Sequence, residues 1–246
     1  MHAKQLAVLA FVSSVAAHGT VSGIVANSVY YQGYNPADQY TSPAPKRVGW
    51  SIPQDLDNGF ISPAKYTNSD IICHVGATPA QVSAPIAAGS KLSLEWTPWP
   101  VSHKGPVIDY IANCNGPCTS VDKTTLKWVK IDAVGLISAT AASNGLWGTD
   151  QLIANNNTWT VTIPASIAPG NYVLRHEIIA LHAAGSANGA QNYPQCVDIT
   201  ITGSGTAKPA GVLATTFYTP TDPGILFNLY GSYTSYPIPG PALYTG

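Results

Sequence analysis

A histidine at a chain terminus can do chemistry that an internal histidine cannot. Its α-amine and its ring Nδ1 belong to one residue and close a small chelate ring on one metal ion. His18 is placed for this. Positions 1–17 read as a removable export leader, with Lys4, an apolar run from Leu6 to Val12, and small residues at Val15-Ala16-Ala17 where a signal peptidase cuts. Cleavage after Ala17 makes His18 the first mature residue, and an α-amine of pKa about 7.7 to 8.0 yields its proton to a divalent metal under mild conditions. A second imidazole opposite would complete three nitrogens in a plane, the tetragonal arrangement of Cu(II), which heads the divalent affinity order. His103 is the candidate, in the turn Trp99-Pro100-Val101-Ser102-His103-Lys104-Gly105-Pro106. Spacing alone leaves it between a ligand and an ordinary loop histidine.

Other chemistries are poorly served. His176 and His182 flank Glu177-Ile178-Ile179-Ala180-Leu181, but a zinc-protease motif needs its histidines at i and i+4 on a helix. No G-x-S-x-G nucleophile elbow occurs, and a glycosidase would have to place two carboxylates with only Glu95, Glu177 and the aspartates to draw on. His74 sits in no motif and reads as structural. Gln191 and Tyr193 share a face if 191–196 is extended. Tyr193 then either continues the core face of Val197, Ile199 and Ile201 or offers its hydroxyl to a metal's axial position. Pro194 makes unbroken continuity between the two segments doubtful.

The elements that must hold these groups are strands. Period-2 alternation recurs at Leu92, Leu94 and Trp96, at Val129, Ile131 and Ala133, at Trp159, Val161 and Ile163, and at Val197, Ile199 and Ile201. Val173 to Leu181 is apolar at odd and even positions and rich in β-branched residues, which predicts a central strand. No ten-residue stretch carries a helical stripe. Gly (22) and Pro (20) break the chain into short pieces, and the pattern predicts an all-β sandwich with long loops at one end. The segment after Gly203 carries Phe217, Ile225, Leu226 and Phe227, too apolar for a solvated spacer, and is expected to pack along the sandwich. Tyrosines outside the strands (Tyr30, Tyr31, Tyr34 and Tyr40, then Tyr230, Tyr233, Tyr236 and Tyr244) serve either as lids over the core or as a surface on which sugar rings stack.

Composition narrows the compartment and the partners. Charged residues are only 9% of the 246, against about 25% in typical domains. With a net charge of −1 and no basic cluster, nucleic acid is excluded as a partner. The leader's apolar run is far short of the ~20 residues a membrane span needs, so a soluble secreted protein is expected. Four cysteines fit an oxidising compartment. Cys114 and Cys118 are close enough to clip the loop Asn115-Gly116-Pro117, which leaves Cys73 for Cys196. That long closure would restrict the unfolded chain by roughly 4 to 5 kcal/mol. Asn156-Asn157-Thr158 is a glycosylation sequon, with Asn156 the acceptor.

Taken in order, His18-Gly19, His103-Lys104-Gly105-Pro106-Val107 with Tyr110 and Cys114, Arg175 to His182, Gly189 to Cys196, Thr221 to Ile225, and Tyr236 to Pro241 resemble the lytic polysaccharide monooxygenases of auxiliary activity family nine. The resemblance covers nearly the whole mature chain. It implies an immunoglobulin- or fibronectin-like antiparallel β-sandwich whose loops form a flat active face, with positions 18–246 as one catalytic domain. It implies one copper ion held by His18 and His103 with Tyr193 axial, and His182 and Gln191 assisting proton delivery beside Tyr193. It also implies an N-terminally methylated His18, Tyr236 as a sugar-stacking platform, and no catalytic role for His176 or Glu177. Tyr34 and Tyr40 join the platform on composition alone.

The expected activity is oxidative cleavage of cellulose or a related β-1,4-glucan by hydroxylation at C1 or C4. An external reductant or electron-donor enzyme and dioxygen or hydrogen peroxide take part, and the protein acts as a monomer. The alternatives are a non-catalytic secreted carbohydrate-binding or copper-binding β-sandwich, or a secreted hydrolase.

Overall fold

The computed structural model describes residues 18–140 and 143–246; the expected leader, 1–17, lies outside them. Two sheets pack face to face. One holds β1 (Val21–Ala26), β2 (Val29–Gln32), β4 (Lys91–Trp96) and β9 (Thr158–Thr162), in the order β2-β1-β4-β9. The other holds β3 (Ala84–Ala87), β5 (Val107–Asn113), β6 (Trp128–Val134), β10 (Gly170–Ala180) and β11 (Gln191–Thr202), in the order β3-β11-β10-β5-β6. A two-stranded ribbon, β7 (Leu136–Ser138) with β8 (Leu146–Trp147), stands apart. The alternating runs of the sequence fall on β4, β6, β9 and β11. Pairing is antiparallel except at one edge, where β3 runs parallel to β11 from Ile199 to Thr202.

β10 explains its own composition. Leu174, Ile178 and Ala180 face the first sheet, where they pack with Ile24, Leu92, Leu94, Trp159, Val161 and Ile199. Val173 and Ile179 face the other way, into a second apolar layer built from Trp50, Tyr66, Tyr110, Phe217, Tyr218, Ile225 and Leu229. A strand covered on both faces needs apolar residues at every position. The covering layer comes from the segment between β2 and β3 and from the tail after β11. The largest buried charge there is paired. Arg175, wholly buried, grips Glu177 at 2.7 and 2.8 Å and donates to the carbonyls of Ile71 and Ile72.

Pro194 does not interrupt β11, which pairs with β10 continuously from Gln191 to Ile201. Asn192 exchanges both backbone hydrogen bonds with Ile61, on the side away from β10, and the carbonyl of Cys196 accepts from Trp50 on that same side. Alternation therefore points the nitrogen of Pro194 away from the β10 ladder, so no ladder bond is lost. Cys73 is bonded to Cys196 and Cys114 to Cys118. The first link ties α1 (Asp70–Cys73) to β11. The second helix, α2 (Gly148–Ala154), has seven residues, too few to show a stripe in sequence. Asp150 caps it by accepting from the Trp147 amide at 2.8 Å.

Candidate metal centre

The terminal arm is fixed by its backbone. Thr20 donates to Thr97 Oγ1 at 3.0 Å and accepts from the Thr97 amide at 3.0 Å, while its hydroxyl donates to Gln195 Oε1 at 2.9 Å. Gly19 is closely packed, since a Cβ there would lie 3.1 Å from the Trp99 ring and 3.3 Å from Trp96. His18, immediately before, is thus held at the end of the sandwich where β4 ends and β11 begins.

His103 arrives at the same end from the turn after β4. Its amide donates to the Pro100 carbonyl at 3.0 Å, and its carbonyl accepts from Trp99 Nε1 at 3.0 Å. Lys104 anchors the turn on Asp150 at 2.9 and 3.0 Å. Gly105 has no alternative, because a Cβ would sit 1.9 Å from the Ile179 carbonyl oxygen. Ser102 Oγ lies 3.1 Å from His103 Nδ1, which engages that nitrogen and leaves Nε2 for another partner. Burial first, then His182 and His18, push the His103 pKa down to about 4, so the imidazole stays neutral with a lone pair to offer.

The ring centroids of His18 and His103 are 6.1 Å apart. Metal–imidazole bonds of about 2 Å place two rings facing across one ion about 6 Å apart, so the spacing fits a single shared metal. Tyr193, wholly buried, lies 5.8 Å from His18 and meets Trp99 edge-on at 5.0 Å. The two sequence readings of Tyr193 coincide, for it is part of the inner core and also faces the histidines. Its hydroxyl donates to Gln191 Oε1 at 2.8 Å. Burial, then Asp55 and Asp57, raise its pKa, which keeps it a neutral phenol. His182, just past β10, stacks on His103 at 3.9 Å, and its buried Nδ1 has no hydrogen-bond partner among the described residues. Among those residues no group of three or more His, Cys, Asp or Glu side chains is arranged to hold a metal. The α-amine of a trimmed His18 would add a nitrogen to the two imidazoles.

A family model described as Auxiliary Activity family 9 (formerly GH61) matches residues 18–236. The chain belongs to that family. It is 74% identical over 246 residues, all of this chain and 91% of the other, to AA9 family lytic polysaccharide monooxygenase I of Botryotinia fuckeliana. Its fold is similar to the extended catalytic domain of LPMO9A from H. jecorina, with a TM-score of 0.88, 55% identity, and 93% and 92% of the two chains covered. A cellulose-active polysaccharide monooxygenase from M. thermophila is more distant, with a TM-score of 0.79, 30% identity, and 92% and 99% covered. The AA9 chain is accordingly a copper-dependent oxidoreductase that cleaves polysaccharide, which sets aside the non-enzymatic and hydrolytic alternatives.

Other expected residues of this AA9 protein fall elsewhere. Tyr236 is partly covered. Its ring is half-buried against Trp147 (4.9 Å) and Phe227 (5.1 Å), and its hydroxyl donates to the Gly224 carbonyl at 2.6 Å. A tyrosine next to a rigid Pro-Ile-Pro run is well placed to fasten the tail, and that is what it does. Tyr34 is buried as well, whereas Tyr40 is 81% exposed. Tyr230, which the sequence did not distinguish from its neighbours, is 64% exposed on the segment tied to the loop after His182 by the Phe227 amide and Ala184 carbonyl, 2.9 Å. Phe60 had no sequence signal at all, yet its ring lies 6.0 Å from His18 and 6.1 Å from Tyr193. His176 is a core residue: Trp96 Nε1 donates to its Nε2 at 2.9 Å, so Nδ1 carries the proton and donates to Asp109 at 2.7 Å. Asn156 is exposed in a left-handed turn after α2.

Proposed function

We propose that the chain is secreted, is cut after Ala17, and acts as a monomer on cellulose or a related β-1,4-glucan, hydroxylating C1 or C4 so that the glycosidic bond breaks. The amine and Nδ1 of His18, the Nε2 of His103 and the Tyr193 hydroxyl would hold one copper ion. Copper, when bound, supplies one-electron redox chemistry by which an external reductant and dioxygen or hydrogen peroxide are used. The observation that carries this assignment is the 6.1 Å separation of two histidines drawn from distant parts of the chain.

The residues around them divide the remaining work. His182 offers a free ring nitrogen for proton transfer beside His103, and Gln191 orients the Tyr193 hydroxyl through their hydrogen bond. Clefts of about 400 Å³ beside Lys127 and Lys208 and about 390 Å³ beside Tyr34 and Arg47 lie elsewhere, and neither is lined by His18, His103 or Tyr193. On this reading the substrate is met at the surface, as a crystalline chain would be, with the exposed Tyr230 offering a ring for stacking. Asn156 would carry the glycan on the opposite side of α2 from the core.

Mass spectrometry of soluble products from cellulose, with and without copper and ascorbate, tests the reading. Aldonic acids or C4-ketosugars that form only when both are present are expected. Unoxidised sugars released without reductant would overturn it.

A further inference from the structure

His74 takes no part in the chemistry described above, yet it stands in a costly arrangement. Its backbone is left-handed, φ 93°, a region that residues with a Cβ rarely adopt. Its ring is 1% exposed. Its Nε2 lies 3.2 Å from the Gly59 carbonyl oxygen, which can only accept, so Nε2 carries a proton. Burial holds His74 below its ordinary pKa in spite of Asp55, Asp70 and Asp57 around it, which leaves Nδ1 as a bare lone pair. Facing Nδ1 at 3.6 Å is Oδ2 of Asp55, itself 5% exposed. Neither atom has a hydrogen-bond partner among the described residues. Strained backbone and orphaned polar atoms persist only where the surrounding structure enforces them. The residue before His74, Cys73, is tied to Cys196.

What the pair holds is one residue, Gly59, through the two peptide units on either side of its Cα. His74 takes the carbonyl of Gly59 and Asp55 Oδ1 takes its amide, at 2.7 Å. On the other side of Phe60, Ile61 exchanges two backbone hydrogen bonds with Asn192, at 2.8 and 3.1 Å. Phe60 thus lies between two anchored residues, and its ring touches both His18 and Tyr193 edge-on or tilted.

We propose that His74 and Asp55 form a buried clamp on Gly59 that sets the Phe60 ring against His18 and Tyr193, making both positioning residues for the metal-binding histidine. The inference rests on the assignment of His18 as a ligand, but the clamp itself can be read without metal. Asp55→Asn keeps the oxygen that accepts from Gly59 and can turn its amide toward the bare Nδ1, so it should preserve the clamp. Asp55→Ala should release it. His74→Gly removes the ring while glycine adopts φ 93° without strain.

The experiment uses the mature protein beginning at His18. Ring-proton NMR of His18 and Tyr193 is recorded without metal, then the Cu(II) electron paramagnetic resonance spectrum and copper affinity are measured. Asp55→Ala and His74→Gly should shift the His18 and Tyr193 ring resonances and alter the Cu(II) spectrum in the same sense as Phe60→Leu, with about tenfold weaker copper binding. Asp55→Asn should match the parent, and His74→Gly combined with Phe60→Leu should do no more than Phe60→Leu alone. Should His74→Gly not fold, the contrast between Asp55→Ala and Asp55→Asn decides. Unmoved ring resonances in a variant that only melts earlier, or additive effects in the double variant, overturn the clamp. Moved resonances in a parent that binds no copper would sustain the clamp and defeat the ligand assignment.

Discussion

The imidazoles of His103 and His182 lie 3.9 Å apart, centroid to centroid, tilted by 34°. Two protonated rings cannot be held so close. Burial and then the charge of His18 lower the His182 pKa, and His103 is lowered further. Both shifts favour the neutral rings, one with a lone pair to offer a metal and the other able to exchange a proton. If His182 moves protons without holding copper, His182→Ala should leave copper affinity within about threefold, while oxidised product formation falls by about 10² or more. Calorimetry and product quantification measure the two separately; parallel loss of both would make His182 a determinant of binding.

His103 should behave oppositely. If His18 and His103 supply the three nitrogens, His103→Ala removes one of them, and the chelate left on His18 alone should bind copper at least about 10³-fold more weakly, with oxidised products abolished. The same loss is expected when His18 is not the terminus. Protein left with one extra N-terminal residue should show weak copper binding, and tight stoichiometric binding by it would count against the amine as a ligand.

The strands were legible in sequence because alternation reports burial on one face, and β10 because it is buried on both. Sequence singled out His18 and His103 through an expected leader and a turn motif, and the fold brings their ring centroids to 6.1 Å. Phe60 and Tyr230 were not, since nothing local separates an aromatic that faces a site from one that faces a core. Tyr236 shows the same limit in reverse, its ring being committed to Trp147 and Phe227 by a tail whose course only tertiary packing fixes. Pro194 misled for a related reason: whether a proline breaks a strand depends on which way its nitrogen points, and register decides that.

The two tail tyrosines should therefore separate by assay. Tyr230→Ala should weaken adsorption to cellulose by several-fold with little change in melting temperature, because an exposed ring contributes little to folding. Tyr236→Ala should cost about 1 to 3 kcal/mol of stability through lost packing and an unpaired Gly224 carbonyl, with adsorption unchanged in the folded protein. Adsorption isotherms and urea melts read the two effects, and a weakened isotherm for Tyr236→Ala alone would restore it as the platform.

Asp198 gives the fold a pH signature of its own. It is wholly buried, its Oδ1 accepts from Trp50 Nε1 at 2.7 Å, and its Oδ2 has no partner among the described residues. Burial pushes its pKa up to about 7, against about 3.9 in an unfolded chain. Between those values the folded state holds a proton that the unfolded state has lost. The stability this group contributes is thus complete below pH ~4 and is lost as pH rises through ~7, with a slope of up to about 1.4 kcal/mol per pH unit. Asp198→Asn keeps an acceptor for Trp50 and cannot ionise, so it should flatten this slope. Urea denaturation of the metal-free protein at pH 5 and pH 8 should show the variant gaining on the parent at the higher pH. An equal gap at both would mean that Asp198 is ionised in the folded protein at pH 5 already, its charge met by a partner other than Trp50.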